Sequence, residues 1–111
     1  MDFGFRNHSV IEGNTAYLTV SFKDEDGNPA TPSKIEYTIH DLYTQQEVVS
    51  STPVAPMTSI EITISSSTND LKGEIVQIEK RVVTITADYA DGAVQKDQFI
   101  YNVEPLEHFE A

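Results

Sequence analysis

Apolar residues with period two, recurring at short intervals with turn residues between, constrain this chain more than any other feature. Ala16, Leu18, Val20 and Phe22 alternate with Tyr17, Thr19, Ser21 and Lys23. Successive side chains of a strand point to opposite faces, so this run describes a strand with one buried face. The rhythm returns in Ile35, Tyr37 and Ile39, set against Glu36, Thr38 and His40, and again in Ile60, Ile62 and Ile64. Val83, Ile85, Ala87 and Tyr89 form a further inward row, and Phe99, Tyr101 and Val103 the last. No stretch carries the apolar spacing of an amphipathic helix.

The connections agree with the strands. Asp26-Gly27-Asn28-Pro29 has the composition of a reversing bend, and Asp91-Gly92 between two alternating runs is a strong hairpin signal. After Asp41 the chain is expected to reverse near Thr44 to Gln46 and return through Glu47, Val48 and Val49, a weaker strand. Ser50 to Pro56 contains two prolines, which belong at a sheet edge or in a crossing between sheets. Residues 65–70 read as a polar loop, and Leu71 to Ile78 as a short strand or one helical turn. About seven short strands in 111 residues predict an all-β fold, a single antiparallel β-sandwich. A small barrel is the competitor, but the varied sizes of the inward residues and the Pro53–Pro56 crossing favour a sandwich. The expected organisation is an N-terminal arm or first strand over 1–13, the sandwich over 14–103, and an acidic tail over 104–111.

A chain of this length buries roughly 65% of the surface its unfolded form exposes, which is enough for one core. With no cysteine, that core has neither disulfide nor thiolate metal site to support it. The 18 acidic and 7 basic side chains give a net charge of -11, and the excess is spread evenly along the chain. Such a charge argues against nucleic acid or an anionic membrane as partner and favours a basic protein surface or a crowded assembly. No signal peptide is visible at the N-terminus, and no apolar run approaches a membrane span.

Candidate chemistry is sparse. Asp24, Asp26 and Asn28 around Gly27 match part of a calcium loop, in which hard cations take several oxygens from a sharply turned segment. Counted from Asp24, however, the twelfth position that should supply a carboxylate is Ile35. Asp88 and Asp91 could approach the bend and complete a site between loops, yet a solvated turn is the simpler reading. His8, His40 and His108 lie in unrelated regions without the spacing of a zinc site or a catalytic base. The five glycines are scattered and form no phosphate-binding loop. These residues predict no catalytic site, no metal and no cofactor. Phe3, Phe5, Leu106 and Phe109 are apolar residues in terminal segments, where polarity is the norm, and are candidates for docking on a partner; the alternatives are that Phe3 and Phe5 complete the first strand against the core, and that the tail, whose alternating acids resist burial, frays.

Two segments, TAYLTVSFKDEDGNPATPSKIEYTIHD and EKRVVTITADYADGAVQKDQFIYNV, resemble the immunoglobulin-like and fibronectin type III-like modules of bacteria and their phages. The first looks like the strand, bend and following strand of such modules, and the second like their closing hairpin. The chain has neither the cysteine pair nor the tryptophan of antibody domains. Arg81 stands where many type III modules carry a core-side tyrosine. The resemblance implies an Ig-like sandwich, and an acidic module of this kind is similar to the small virion accessory proteins of tailed phages. It implies a structural, non-enzymatic protein, made in the host cytoplasm, present in many copies and bound to a capsid, neck or tail protein. The alternatives are a carbohydrate- or surface-binding module of a larger secreted protein, with Tyr17 and Tyr43 as exposed aromatics, and a calcium-stiffened linker domain.

Overall fold

The computed structural model describes residues 2–5, 9–11, 13–65, 68–69 and 78–104. These form eight strands: β1 (Asp2–Phe5), β2 (Ser9–Ile11), β3 (Ala16–Ser21), β4 (Lys34–Asp41), β5 (Glu47–Val54), β6 (Ser59–Ile64), β7 (Glu79–Asp88) and β8 (Val94–Glu104). Among the described residues there is no helix. The strands make two sheets, a small one of order β1-β3-β6 and a large one of order β2-β8-β7-β4-β5.

Alternation assigns the faces. In β3, Ala16, Leu18 and Val20 are buried while Tyr17 and Thr19 are exposed, and in β6 the same holds for Ile60, Ile62 and Ile64 against Ser59, Glu61 and Thr63. The antiparallel register sets Leu18 opposite Ile62 and Val20 opposite Ile60. A slip of one residue would send the whole apolar set to solvent, so burial itself fixes the pairing. The large sheet contributes Ile35, Ile39, Val83, Ile85, Ala87, Phe99, Tyr101 and Val103 to the same core. Fully burying one such aliphatic side chain is worth about 1.5–3 kcal/mol, and these residues form one cluster between the sheets.

Three details go beyond the sequence expectation. The count is eight strands among the described residues, because the N-terminal segment supplies two. β1 pairs antiparallel with β3 in the small sheet, whereas β2 pairs parallel with β8 in the large one, so the pairing is mixed and not wholly antiparallel. The segment expected as a weak strand is the eight-residue β5, which carries Pro53 at the edge of the large sheet. An edge position tolerates a residue that cannot donate to a ladder. Residues 55–58 then cross to β6 in the other sheet.

The two ends of the molecule carry different connections. At one end lie the bend after β3, the β5–β6 crossing and the β7–β8 hairpin. The β2–β3 turn, the β4–β5 turn and the start of β7 lie at the other.

Candidate functional site

The inward rows of β4 and β7 both end in charged residues. Continuing the row Ile35, Tyr37, Ile39 by one step gives Asp41, and continuing Ala87, Ile85, Val83 backwards gives Arg81 and then Glu79. The β4–β7 register sets Asp41 directly opposite Arg81, and the β7–β8 register sets Arg81 opposite Tyr101. Four polar side chains therefore arrive together at one end of the core.

Arg81 is wholly enclosed, at 0% exposure. Its Nη2 donates to Glu79 Oε1 at 2.9 Å and its Nη1 to the Thr68 carbonyl at 2.7 Å. Its Nε lies 3.9 Å from Asp41 Oδ2. Asp41 also holds the β4–β5 turn, because its Oδ1 accepts the amides of Tyr43 and Thr44 at 3.0 Å each. The Tyr101 hydroxyl donates to Asn69 Oδ1 at 3.0 Å, Asn69 Nδ2 donates to the Asn14 carbonyl at 2.8 Å, and the Gly13 amide donates to the Asn69 carbonyl at 2.9 Å. Burial pushes the Tyr101 hydroxyl up to about 12, against a smaller downward pull from the Arg81 charge. A planar guanidinium with several fixed donors suits a buried site with acceptors on several sides. What Arg81 and Asn69 bind is the chain itself: the β6–β7 connection at Thr68 and Asn69, and the β2–β3 turn at Gly13 and Asn14. The enclosed guanidinium offers no access to a substrate.

The opposite end carries the acids singled out from the sequence. Lys23 and Pro29 form an isolated antiparallel bridge that closes the loop 24–28. Within it, Asp24 Oδ1 accepts the amides of Asp26 and Asn28 at 3.0 and 2.9 Å, and Gly27 sits at φ 83°. An aspartate that bonds the backbone a few residues on is the usual means of fixing such a turn. Asp91 does the same in the hairpin, where its Oδ1 accepts the Ala93 amide at 2.9 Å. The two loops meet: Asp24, Glu25, Tyr89, Asp91, Ala93 and Gln95 line one cleft of about 180 Å³. Gln95 bridges them, accepting from the Tyr89 hydroxyl at 3.0 Å and donating to the Lys23 carbonyl at 3.3 Å. Partial burial, and then the Asp24 charge, push the Tyr89 hydroxyl above its ordinary value. Asp88 is not part of the cleft lining, and its carbonyl accepts the Ser33 amide at 2.7 Å. Among the described residues, no group of three or more His, Cys, Asp and Glu is arranged to hold a metal ion.

Of the apolar candidates at the termini, Phe3 lies in β1, half-buried, with its ring 5.5 Å from that of Phe99. Phe5 is in the same strand, its backbone opposite Leu18. Leu106 and Phe109 fall outside the described residues, as do His8 and His108. His40 lies on the outer face of the large sheet, with Nε2 3.8 Å from Glu47 Oε2. With Leu42, Val82, Thr84 and Gln98 it borders a shallow cleft of about 360 Å³. Tyr17 and Tyr43 are both exposed, but Tyr17 is on the outer face of β3 and Tyr43 is in the turn after β4 in the other sheet, so they share no platform. No described helix is long and apolar enough to cross a membrane.

The Arg81 cluster was readable in outline, since the period of β7 runs through Glu79 and Arg81 without a break. Asn69 gave no such signal, because it lies in a connection whose pairing partners are remote in sequence. Compared with protein families, curated proteins and solved structures, the chain matches none.

Proposed function

We propose that the chain is a non-enzymatic interaction module of the immunoglobulin-like type, serving as an accessory protein of a tailed-phage particle on a capsid, neck or tail surface. The observation that supports this reading most is the strand order. In immunoglobulin-like sandwiches the second and fifth strands of the pattern share one sheet, and the third, sixth and seventh share the other. Here β3 and β6 lie together, as do β4, β7 and β8, and β5 extends the large sheet at the place of an added strand. The N-terminal segment is divided between the sheets as β1 and β2.

The arrangement suits binding better than catalysis. Its most unusual buried groups are spent on holding loops, and the net charge of -11 keeps copies of the chain apart. Many weak attachments to a symmetric shell would gain through multivalency. The test is mass spectrometry and electron microscopy of particles purified from lysates of the host that carries the gene. The expected result is the chain in fixed stoichiometry, with density at symmetric positions on the particle. Particles that lack it, or a chain recovered only as free monomer, would overturn the reading.

A further inference from the structure

The two sheets are unequal, and the inequality falls on one side. β6 is an edge of the small sheet and β5 an edge of the large one, and residues 55–58 join them directly. A link so short must cross a gap of about 10 Å between packed sheets, so the two edges lie along the same side of the molecule. Among the described residues no strand pairs with the outer edge of β6. Facing that gap, the inner side of β5 is incompletely covered. Val48, Val49 and Val54 of β5 pack against the core but stay half-buried, as does Tyr37 of β4, whereas Ile35 and Ile39, on either side of Tyr37 in β4, are at 1% exposure.

The two edges differ in how they resist pairing. β5 carries Pro53, and its register with β4 is interrupted between Tyr37 and His40. Proline and irregularity are the means by which edges are blunted. β6 has neither. It pairs with β3 in an unbroken register of six residues, Ser59 to Ile64, and its only charge is Glu61 on the outer face.

We propose that the free edge of β6 accepts an extended segment of a partner protein as an added strand, with apolar side chains toward Tyr37, Val49 and Val54 and Lys or Arg side chains on the outer face beside Glu61. Strand addition takes affinity from main-chain hydrogen bonds and specificity from alternate side chains. The alternation of β6 fixes the apolar half of the partner's pattern. Charge fixes the other half. A second copy of this chain would bring another -11 and set acids near acids, whereas a basic segment meets both Glu61 and the overall field. The proposal rests on the reading of the chain as an interaction module and names the surface used.

The test is a titration of the isotope-labelled full chain with a short peptide alternating valine and lysine, followed by amide shifts and hydrogen exchange. Controls are a valine–glutamate peptide and one with the same lysines and valines in blocks. The expected result is new protection of amides in Ile60–Ile64, with the lysine peptide about threefold or more tighter than the glutamate peptide, as an opposite-charge cross-strand pair implies. Glu61→Lys, an exposed change, should reverse that preference. Protection confined to β5 or absent, equal binding of all three peptides, or a peptide-free dimer with β6 already protected would overturn the proposal. Recovery of the chain in purified particles is independent of these outcomes, so failure here and failure of the particle reading are separable.

Discussion

Arg81 occupies an inward position on β7 where a hydrophobic residue would serve packing equally well. A buried guanidinium is tolerable only because carboxylates and a carbonyl surround it, with Glu79 at 2.9 Å, the Thr68 carbonyl at 2.7 Å and Asp41 at 3.9 Å. Removing the cation alone leaves Glu79 and Asp41 buried without it. Arg81→Met should therefore destabilise the fold by about 3–5 kcal/mol, the usual cost of breaking a buried ion pair from one side. Urea denaturation checks this as a lower midpoint at unchanged slope, and a loss below about 1 kcal/mol would contradict it. Tyr101, opposite Arg81, gives the pH dependence. Its hydroxyl is raised from 10.0 to about 12 by burial, so the folded state favours the protonated form. The stability linked to that preference is complete below pH 10.0 and is lost as pH rises toward about 12, by an amount on the order of 2–3 kcal/mol. Denaturation midpoints measured across this window should fall in the native chain, and the fall should shrink in Tyr101→Phe.

Turns and strands are disclosed by the sequence as far as their signals are local. The rows Leu18–Val20, Ile60–Ile64 and Val83–Ala87 follow from period two alone, since their apolar residues recur on one face of each strand. The Asp91-Gly92 hairpin and the bend at Gly27 follow from residue chemistry, and Gly92 and Gly27 indeed take φ values of 90° and 83°. What stayed hidden depends on contacts remote in sequence. The parallel pairing of β2 with β8 leaves no local signature in Ser9–Ile11, and Asn69 meets Tyr101 only through the fold. The acids of the bend were ambiguous for a physical reason: the oxygen that could ligate calcium is the one that can fix a turn. Asp24 Oδ1 is taken by two amides, so the melting temperature should be equal in calcium and in chelator, while Asp24→Ala should cost about 1 kcal/mol. Gln45 supplies a complementary prediction. It is the one non-glycine at positive φ among the described residues, at 59° in the β4–β5 turn. Gln45→Gly removes the left-handed penalty and should raise stability by up to about 1 kcal/mol, less the entropy that glycine adds to the unfolded chain. Thermal denaturation decides the sign.

At the scale of the whole molecule, an edge that no described strand covers and a large net charge act on the same property. An unblunted six-residue edge with Ile60, Ile62 and Ile64 beneath it invites pairing between copies. Two restraints oppose that: the local charge of Glu61 and the repulsion between chains that each carry -11. The restraints have different ranges and can be separated. Screening at physiological salt reduces repulsion beyond about 8 Å, but leaves a glutamate apposed to a glutamate across a strand pair only partly relieved. Glu61→Val removes the local term and lowers the net charge by a single unit, leaving the long-range term almost intact. Sedimentation velocity should show the native chain monomeric at low and at physiological salt. Glu61→Val should remain monomeric at low salt and associate as salt rises, with new amide protection confined to β6. Association of the variant that is strongest at low salt, or that protects β5 in place of β6, would mean that charge does not guard this edge.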